Sequence, residues 1–508
     1  MQEKTFYKNI SALFAKQWFW ILVLFMIGLA AYLVPGQEWV VIEKDSLFYL
    51  HPTMQNSGVM PLYPLFLWMA RCIFGEGLYI DAVVVIQSLA AIFCTMAFVL
   101  YLQRIFRLRF IETLFCYLCT MLPFSIELPR VWITHQIMTE SIAYALIYIY
   151  FIFILQYVFK QQRKWLLAAV LLAVFMGLIR SQLVFLLIVT AVFFICAEFV
   201  RMKKIKSGKK AALWGRMVIN LCAGVIGAGV LLIFIYQMRA CYLAYALPVI
   251  SDTGQEAADA PEEAADAQTE DAVQAEQQTE DTAQAAQDAS MSQMTHLIVI
   301  RGFYEADEED VELFDTPQMQ EIFRRVYAST DELQYRYVYA RQDLYIWQDL
   351  VKDEIAGVAY GEVTAYLQEN PDVSLNTAQA VRELGMRVLG KHFGRYLYHT
   401  IRLMISGFIS SVFFQIERIY LLCHIVTLFL FAITMAGVIY CMRKCEDKKA
   451  AVFALVTIGF IVMMVGIINL VFIGLQRYMV YAMGIFYCSL YLLLKEWGLP
   501  WIKKILKF

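Results

Sequence analysis

Long apolar runs separated by short clusters of charge dominate this chain. Runs near 18–34, 79–101, 110–127, 132–158, 165–180, 182–200, 217–238, 419–442, 450–475 and 478–494 carry few ionisable side chains. Each approaches the roughly 20 residues that a helix needs to cross the hydrocarbon core of a bilayer. The pattern predicts an all-α integral membrane protein with about ten transmembrane helices. The first run is too long for the apolar region of a cleavable signal and lacks a small-x-small site, so it reads as an uncleaved signal anchor.

The basic residues test the order of these spans, because Lys and Arg resist translocation. Lys4, Lys8 and Lys16 place the N-terminus in the cytoplasm, and Lys503, Lys504 and Lys507 place the C-terminus there. Arg104, Arg107 and Arg109 fall on the same side, as do Lys160, Arg163 and Lys164. The cluster from Arg201 to Arg216 and the group Arg443, Lys444, Lys448 and Lys449 join them. The short fifth and sixth runs meet at Arg180-Ser181-Gln182, and two full crossings or one broken hairpin both fit.

Composition agrees with the pattern. Of 508 residues, 60% are hydrophobic and 17% charged, and mean hydropathy is +0.58. Soluble domains carry about 45–50% apolar and about 25% charged residues, so a soluble globular class is excluded. The net charge of -2 says little, because acidic and basic residues lie in different places. Most of the eleven cysteines sit inside apolar runs and read as small apolar packers; this includes Cys116 and Cys119, despite their C-x-x-C spacing.

Two extracytoplasmic segments are long, about 35–78 and about 239–411. Within the second, 252–290 consists mainly of Ala, Gln, Glu and Asp, has no Lys or Arg, and nearly repeats Gln-Thr-Glu-Asp at 268–271 and 278–281. No apolar stripe is present, so 239–293 reads as a disordered acidic linker. Globular composition resumes at 294. His296–Ile300 reads as a short strand or a helix start, Arg301-Gly302-Phe303-Tyr304 as a turn, and 377–394 as an amphipathic helix. The expected layout is a seven-helix module over 1–238 and the linker over 239–293. A mainly helical extracytoplasmic subdomain then spans 294–411, and helices eight to ten span 412–508. The aromatics Tyr335, Tyr337, Tyr339, Tyr345 and Trp347 suit a core or an interfacial belt better than a carbohydrate site.

Ionisable residues near the membrane are costly and therefore candidates for function. Here they gather at the extracytoplasmic ends: Glu43, Asp45, Asp81, Glu127, Arg130, Arg180, Glu417, Arg418 and Arg477. Glu140 would lie roughly 12 Å along a regular helix from Trp132. A transporter needs polar groups near the midplane, whereas this distribution forms a bowl open to one side. Interfacial snorkelling accounts for Arg130, Glu417 and Arg418, but Glu140 is too short for it.

Several short motifs recur in a telling order. Asp45-Ser46-Leu47-Phe48-Tyr49 and Pro61-Leu62-Tyr63-Pro64 occupy the first external loop, with Gln87 in the second helix. Met138-Thr139-Glu140-Ser141, Gly177-Leu178-Ile179-Arg180-Ser181-Gln182 and Gln476-Arg477-Tyr478-Met479 follow. This order resembles the polytopic GT-C glycosyltransferases of the ArnT and protein O-mannosyltransferase type. Those enzymes share a module of seven or so helices, an acidic residue in the first external loop and often a large external segment after the seventh helix. Many relatives carry an Asp-Glu pair in that loop, and here Ser46 follows Asp45.

The resemblance implies transfer of a sugar from a polyprenyl-phosphate donor to an envelope glycan, lipid or protein at the cell membrane. Asp45 would be the base that accepts the acceptor's proton. Arg477 and Arg180, with Arg130 third, would hold the departing phosphate, since guanidinium offers forked, permanently charged donors. Glu140 would orient an arginine or bind a sugar hydroxyl, and Tyr49, His51 and Tyr478 would position substrate. No bound cofactor and no structural metal are expected, because His135 and Glu140 stand five apart with no third ligand, while an activating divalent cation stays open. No partner nucleic acid is expected. A transporter or flippase of lipid-linked sugars is an alternative. So is an envelope polysaccharide polymerase or ligase, for which Arg301, Arg324, Arg325, Arg336 and Arg341 would serve.

Overall fold

The computed structural model describes residues 18–32, 39–42, 44–50, 60–125, 132–203, parts of 227–242, 293–340, 344–373, 375–413, 419–471 and 474–498. The helices are α1 (Trp18–Tyr32), α2 (Lys44–Leu50), α3 (Leu62–Phe74), α4 (Tyr79–Phe106), α5 (Phe110–Met121), α6 (Thr139–Lys160), α7 (Arg163–Ile179) and α8 (Phe185–Lys203). Further along the chain come α9 (Gln293–Tyr304), α10 (Pro317–Glu332), α11 (Leu344–Glu369), α12 (Thr377–Lys391) and α13 (Phe393–Ser410). The chain closes with α14 (Tyr420–Lys444), α15 (Lys449–Val471), the single turn α16 (Gln476–Met479) and α17 (Met483–Glu496). No strand is present among the described residues; one isolated parallel bridge joins Val41 to Gln136.

Six helical segments are long and apolar enough to cross a membrane: Tyr79–Phe106, Thr139–Lys160, Ser181–Arg201, Tyr420–Lys444, Lys449–Val471 and Gln476–Glu496. The chain is therefore an all-α, multi-pass membrane protein. The predicted first, third and fifth spans are helices too, but α1 and α5 are shorter, and α7 has 17 residues. The predicted seventh span is described only in part.

Antiparallel packing of α5 on α17 fixes one side of the bundle. Lys495 Nζ meets Glu112 Oε2 at 2.8 Å near one end. The Cys488 thiol donates to the Cys116 carbonyl at 3.4 Å, and Gly484 lies where a Cβ would come within 2.6 Å of the Cys119 carbonyl oxygen. Cys116 and Cys119 are thus buried packers, free of any disulfide.

Two local expectations change. The sequence suggests one long helix from 132, but Trp132–Met138 is a 3₁₀ turn followed by extended backbone, and α6 begins at Thr139. The Val41 bridge and the Gln87 side chain occupy the backbone groups that a longer helix would need. The expected turn at 301–304 is instead the last turn of α9. Gly302 serves a helix crossing: a Cβ there would stand 2.7 Å from the Gly385 carbonyl oxygen, and one on Gly385 would stand 2.9 Å from Val299 Cα. The two glycines let the backbones of α9 and α12 touch.

Helices α9–α13 bury Val299, Phe303, Ile322, Phe323, Ile355, Val381 and Leu384 fully, in a core continuous with that of the apolar bundle. Each such side chain contributes about 1.5–3 kcal/mol before entropy is subtracted. Tyr337, Tyr345 and Trp347 join it, with the Tyr337 and Trp347 rings 5.0 Å apart, so these aromatics form a core. Arg301 Nη2 donates to the Asn469 carbonyl at 2.9 Å, Tyr345 to Asn469 Oδ1 at 2.6 Å, and Gln348 to the Gly474 carbonyl at 3.1 Å. These bonds fasten the subdomain to the chain just before α16.

Candidate functional site

Glu140 stands in the first turn of α6 and is fully buried. Three positive influences meet there. The N-terminus of α6 carries a partial positive charge. Arg180, at the break between α7 and the 3₁₀ turn Ser181–Val184, pairs with Glu140 Oε2. Arg477, in α16, brings its Nε to 3.4 Å from Glu140 Oε1. One buried carboxylate thus faces two guanidinium groups.

Thr139 completes the cluster. Its hydroxyl accepts from Arg180 Nη1 at 2.7 Å and donates to Glu140 Oε2 at 3.0 Å. Arg180 Nε donates to Gln182 Oε1 at 3.0 Å, so its guanidinium is held on two edges. The Tyr478 ring lies 4.5 Å from the Arg180 guanidinium carbon and 5.5 Å from that of Arg477. Such stacking is worth about 0.5–2 kcal/mol and keeps the forks planar against a surface. Tyr144 donates to the Arg477 carbonyl and packs edge-on against Tyr481 at 4.9 Å. Exposure ranks the charged groups: the side chain of Glu140 is 0% exposed, that of Arg180 11% and that of Arg477 23%. Arg477 is the most exposed of the three.

The segment between α1 and α4 packs against this cluster through Tyr49. Tyr49, in α2, places its hydroxyl 3.5 Å from that of Thr139 and its ring 5.0 Å from Tyr63. Tyr63 donates to Gln87 Oε1 at 2.8 Å, and Gln87 Nε2 donates to the carbonyls of Thr134 and Gln136 at 3.0 and 3.1 Å. Burial, with Tyr49 and then Glu140 beside it, pushes the Tyr63 phenol well above its ordinary range, so it stays a neutral donor. Trp39 donates to Asp81 Oδ1 at 2.8 Å, and its ring packs on His135 at 4.8 Å. Beside α2, a shallow, half-open cleft is walled by Tyr49, Trp68, Tyr79 and Arg71.

Five residues singled out from sequence meet here: Tyr49, Glu140, Arg180, Arg477 and Tyr478. Asp45 lies one helical turn before Tyr49 in α2, and its side chain is outside the described residues. So are His51, Glu43, Glu127, Arg130, Glu417, Arg418 and the acidic linker. Glu140 is not deep within a regular helix, as the sequence suggested, but at a helix start. Sequence reasoning gave Thr139 and Gln182 no role, although each neighbours a residue it did choose. Among the described residues no cluster of three or more His, Cys, Asp or Glu could hold a metal ion.

The arginines of α10 and of the turn after it are engaged elsewhere. Arg324 and Arg325 pair with Glu321, and Arg325 also with Glu369 at 2.8 Å. Arg336 pairs with Asp331 and donates to the Tyr327 hydroxyl at 2.6 Å. Arg341 lies outside the described residues. Compared with protein-family models, with curated proteins and with solved structures, the chain finds no match.

Proposed function

We propose that the chain is a membrane glycosyltransferase that moves a sugar from a polyprenyl-phosphate donor to an envelope acceptor on the extracytoplasmic face. The observation that carries this reading is the convergence of Glu140, Arg180 and Arg477, from three distant segments, beneath the loop that bears Asp45. Two guanidinium groups with forked donors stand around one buried carboxylate. A phosphate leaving group suits that forked, permanently charged geometry.

In this mechanism Asp45 accepts the proton of the acceptor as the acceptor attacks the anomeric carbon. The bond from that carbon to the carrier phosphate oxygen breaks, and the electron pair stays on the phosphate. Arg477, the more exposed guanidinium, binds the charge that grows there. Arg180 supports it, and Glu140 with Thr139 holds Arg180 in place. Tyr49 and Tyr478 wall the site, and His51 follows in the same loop. Both termini are cytoplasmic in this reading, and ten helices cross the membrane. The polymerase or ligase reading is weakened, because Arg301, Arg324, Arg325 and Arg336 are already committed.

The test is release of free polyprenyl phosphate from a panel of polyprenyl-phosphate sugars by the purified protein, with cell-envelope extract as acceptor source. Release that is lost in both Asp45→Ala and Arg477→Ala supports the assignment. Release unchanged in Asp45→Ala removes that residue as the base. No release with any donor, from a folded protein, overturns the proposal.

A further inference from the structure

Helix α13 carries a stripe that does not belong on a water-exposed subdomain. Phe393, Leu397, Tyr398, Ile401 and Ile405 are 58, 43, 60, 49 and 54% exposed and recur at helical spacing along one side. The opposite side, with Thr400, Leu403, Ser406 and Gly407, is buried. A continuous apolar strip of this length is unusual on a surface that faces water.

The neighbours of α13 say what covers it. Its first turn lies near one end of the bundle, where Tyr396 donates to the Leu470 carbonyl at 3.1 Å. Its last turn lies deeper. A Cβ on Gly407 would stand 2.9 Å from Val465 Cγ1, the Phe408 ring is 6.3 Å from Phe431, and Tyr487 donates to the Val412 carbonyl at 2.7 Å. Tyr487 lies roughly 15 Å along the chain from Arg477, on helical rise. Phe431 is likewise roughly 16 Å from Tyr420, where α14 starts. Helix α14, which touches α13 through the Phe408–Phe431 ring pair, also exposes Leu421, Ile425 and Leu428. Arg402, exposed beside Ile401, folds back over the Tyr398 ring at 5.9 Å, towards the N-terminal end of the helix. A long basic side chain in lipid turns in that way to reach the interface.

We infer that α13 is embedded in one leaflet of the bilayer, with the Phe393–Ile405 stripe against lipid acyl chains and Arg402 directed to the phosphate layer. The helix enters beside α15, ends inside the bundle near Val412, and the next helix begins again at the end where α13 entered. Part of the segment that composition assigns to an external domain is thus membrane surface. This holds whether or not the chain transfers sugars.

The test places p-benzoylphenylalanine at Ile401, at Leu428 and at Asp372, an exposed turn residue between α11 and α12. Each full chain is reconstituted in vesicles of phosphatidylethanolamine and phosphatidylglycerol and irradiated, and adducts are located by mass spectrometry. The expected result is an acyl-chain adduct at Ile401 as abundant as at Leu428, with none at Asp372. Adducts at Leu428 but not Ile401 would overturn the inference. So would adducts at Ile401 confined to headgroups, or a cross-linked pair of chains through Ile401.

Discussion

Glu140 and Arg180 form an ion pair in which the carboxylate is fully buried and the guanidinium is 11% exposed. Glu140 also faces Arg477, so one carboxylate meets both arginines. Removing it takes from the buried Arg180 the carboxylate it pairs with. Breaking a buried pair in this way costs about 3–5 kcal/mol. Glu140→Ala should therefore lower the thermal unfolding midpoint in detergent clearly, and Arg180→Met should lower it less when combined with Glu140→Ala than alone. Additive losses would mean that the pair is not coupled.

Arg477 has a different balance, because its side chain is 23% exposed and its pairing distance is longer. Arg477→Lys keeps the charge but loses the fork and the planar contact with Tyr478. On the proposed function it should slow release of polyprenyl phosphate by about 100-fold, the usual loss on deleting one donor to a developing anion. The unfolding midpoint should barely move. A variant with normal turnover would take the leaving group away from Arg477.

The apolar periods told where helices run, and Tyr49, Glu140, Arg180, Arg477 and Tyr478 were legible because charge and aromatics at span ends are conspicuous. The interruption at 132–138 was not legible. It is made by Val41 and Gln87, partners remote in sequence, against a local pattern that reads as helix. Gly302 was misread as a turn because glycine marks turns and close helix crossings alike, and only Gly385 tells them apart. The role of Thr139 depends on Arg180 arriving from another helix.

The contact of α9 with α12 yields a second stability prediction. A methyl at Gly385 would overlap backbone atoms of Val299, at 2.9 Å from Cα and 3.0 Å from N, which no rotamer change relieves. Gly385→Ala should cost about 1–3 kcal/mol through overpacking. Limited proteolysis should show faster cleavage within 294–391, with α4 and α6 still protected. Gly390→Ala, with nothing within 4 Å of the added methyl, is the control.

Tyr345 ties α11 to Asn469, five residues before Gly474, whose own carbonyl is held by Gln348. Tyr345→Phe removes the hydroxyl donated to a fully buried amide oxygen. That loss should cost about 1–3 kcal/mol. If the subdomain sets the position of Arg477, proposed turnover should fall in this variant although it touches neither Glu140 nor Arg180. Unchanged turnover with lowered stability would leave the joint purely structural.

Gln87 is the most economical place to test how the first loop meets the site. Its one side chain accepts from Tyr63 and donates to the carbonyls of Thr134 and Gln136, all within a buried patch. Gln87→Leu matches its size but strands the Tyr63 phenol and takes a donor from the Thr134 and Gln136 carbonyls, at about 1–3 kcal/mol for each group left unpaired where water cannot reach. The Gln136 carbonyl also accepts from Ser141 at 3.1 Å, so part of the loss is recovered there. The stretch it restrains leads directly into Thr139 and Glu140, and Tyr63 packs on Tyr49. The variant should therefore loosen both the carboxylate and the loop above it, losing stability and proposed turnover together. Gln87→Glu separates the two effects: it keeps an acceptor for Tyr63 but sets its other carboxylate oxygen, in place of the donating amide, against the two carbonyls. If only packing mattered, Leu would be tolerated better than Glu; if the hydrogen bonds hold the site, both should fail.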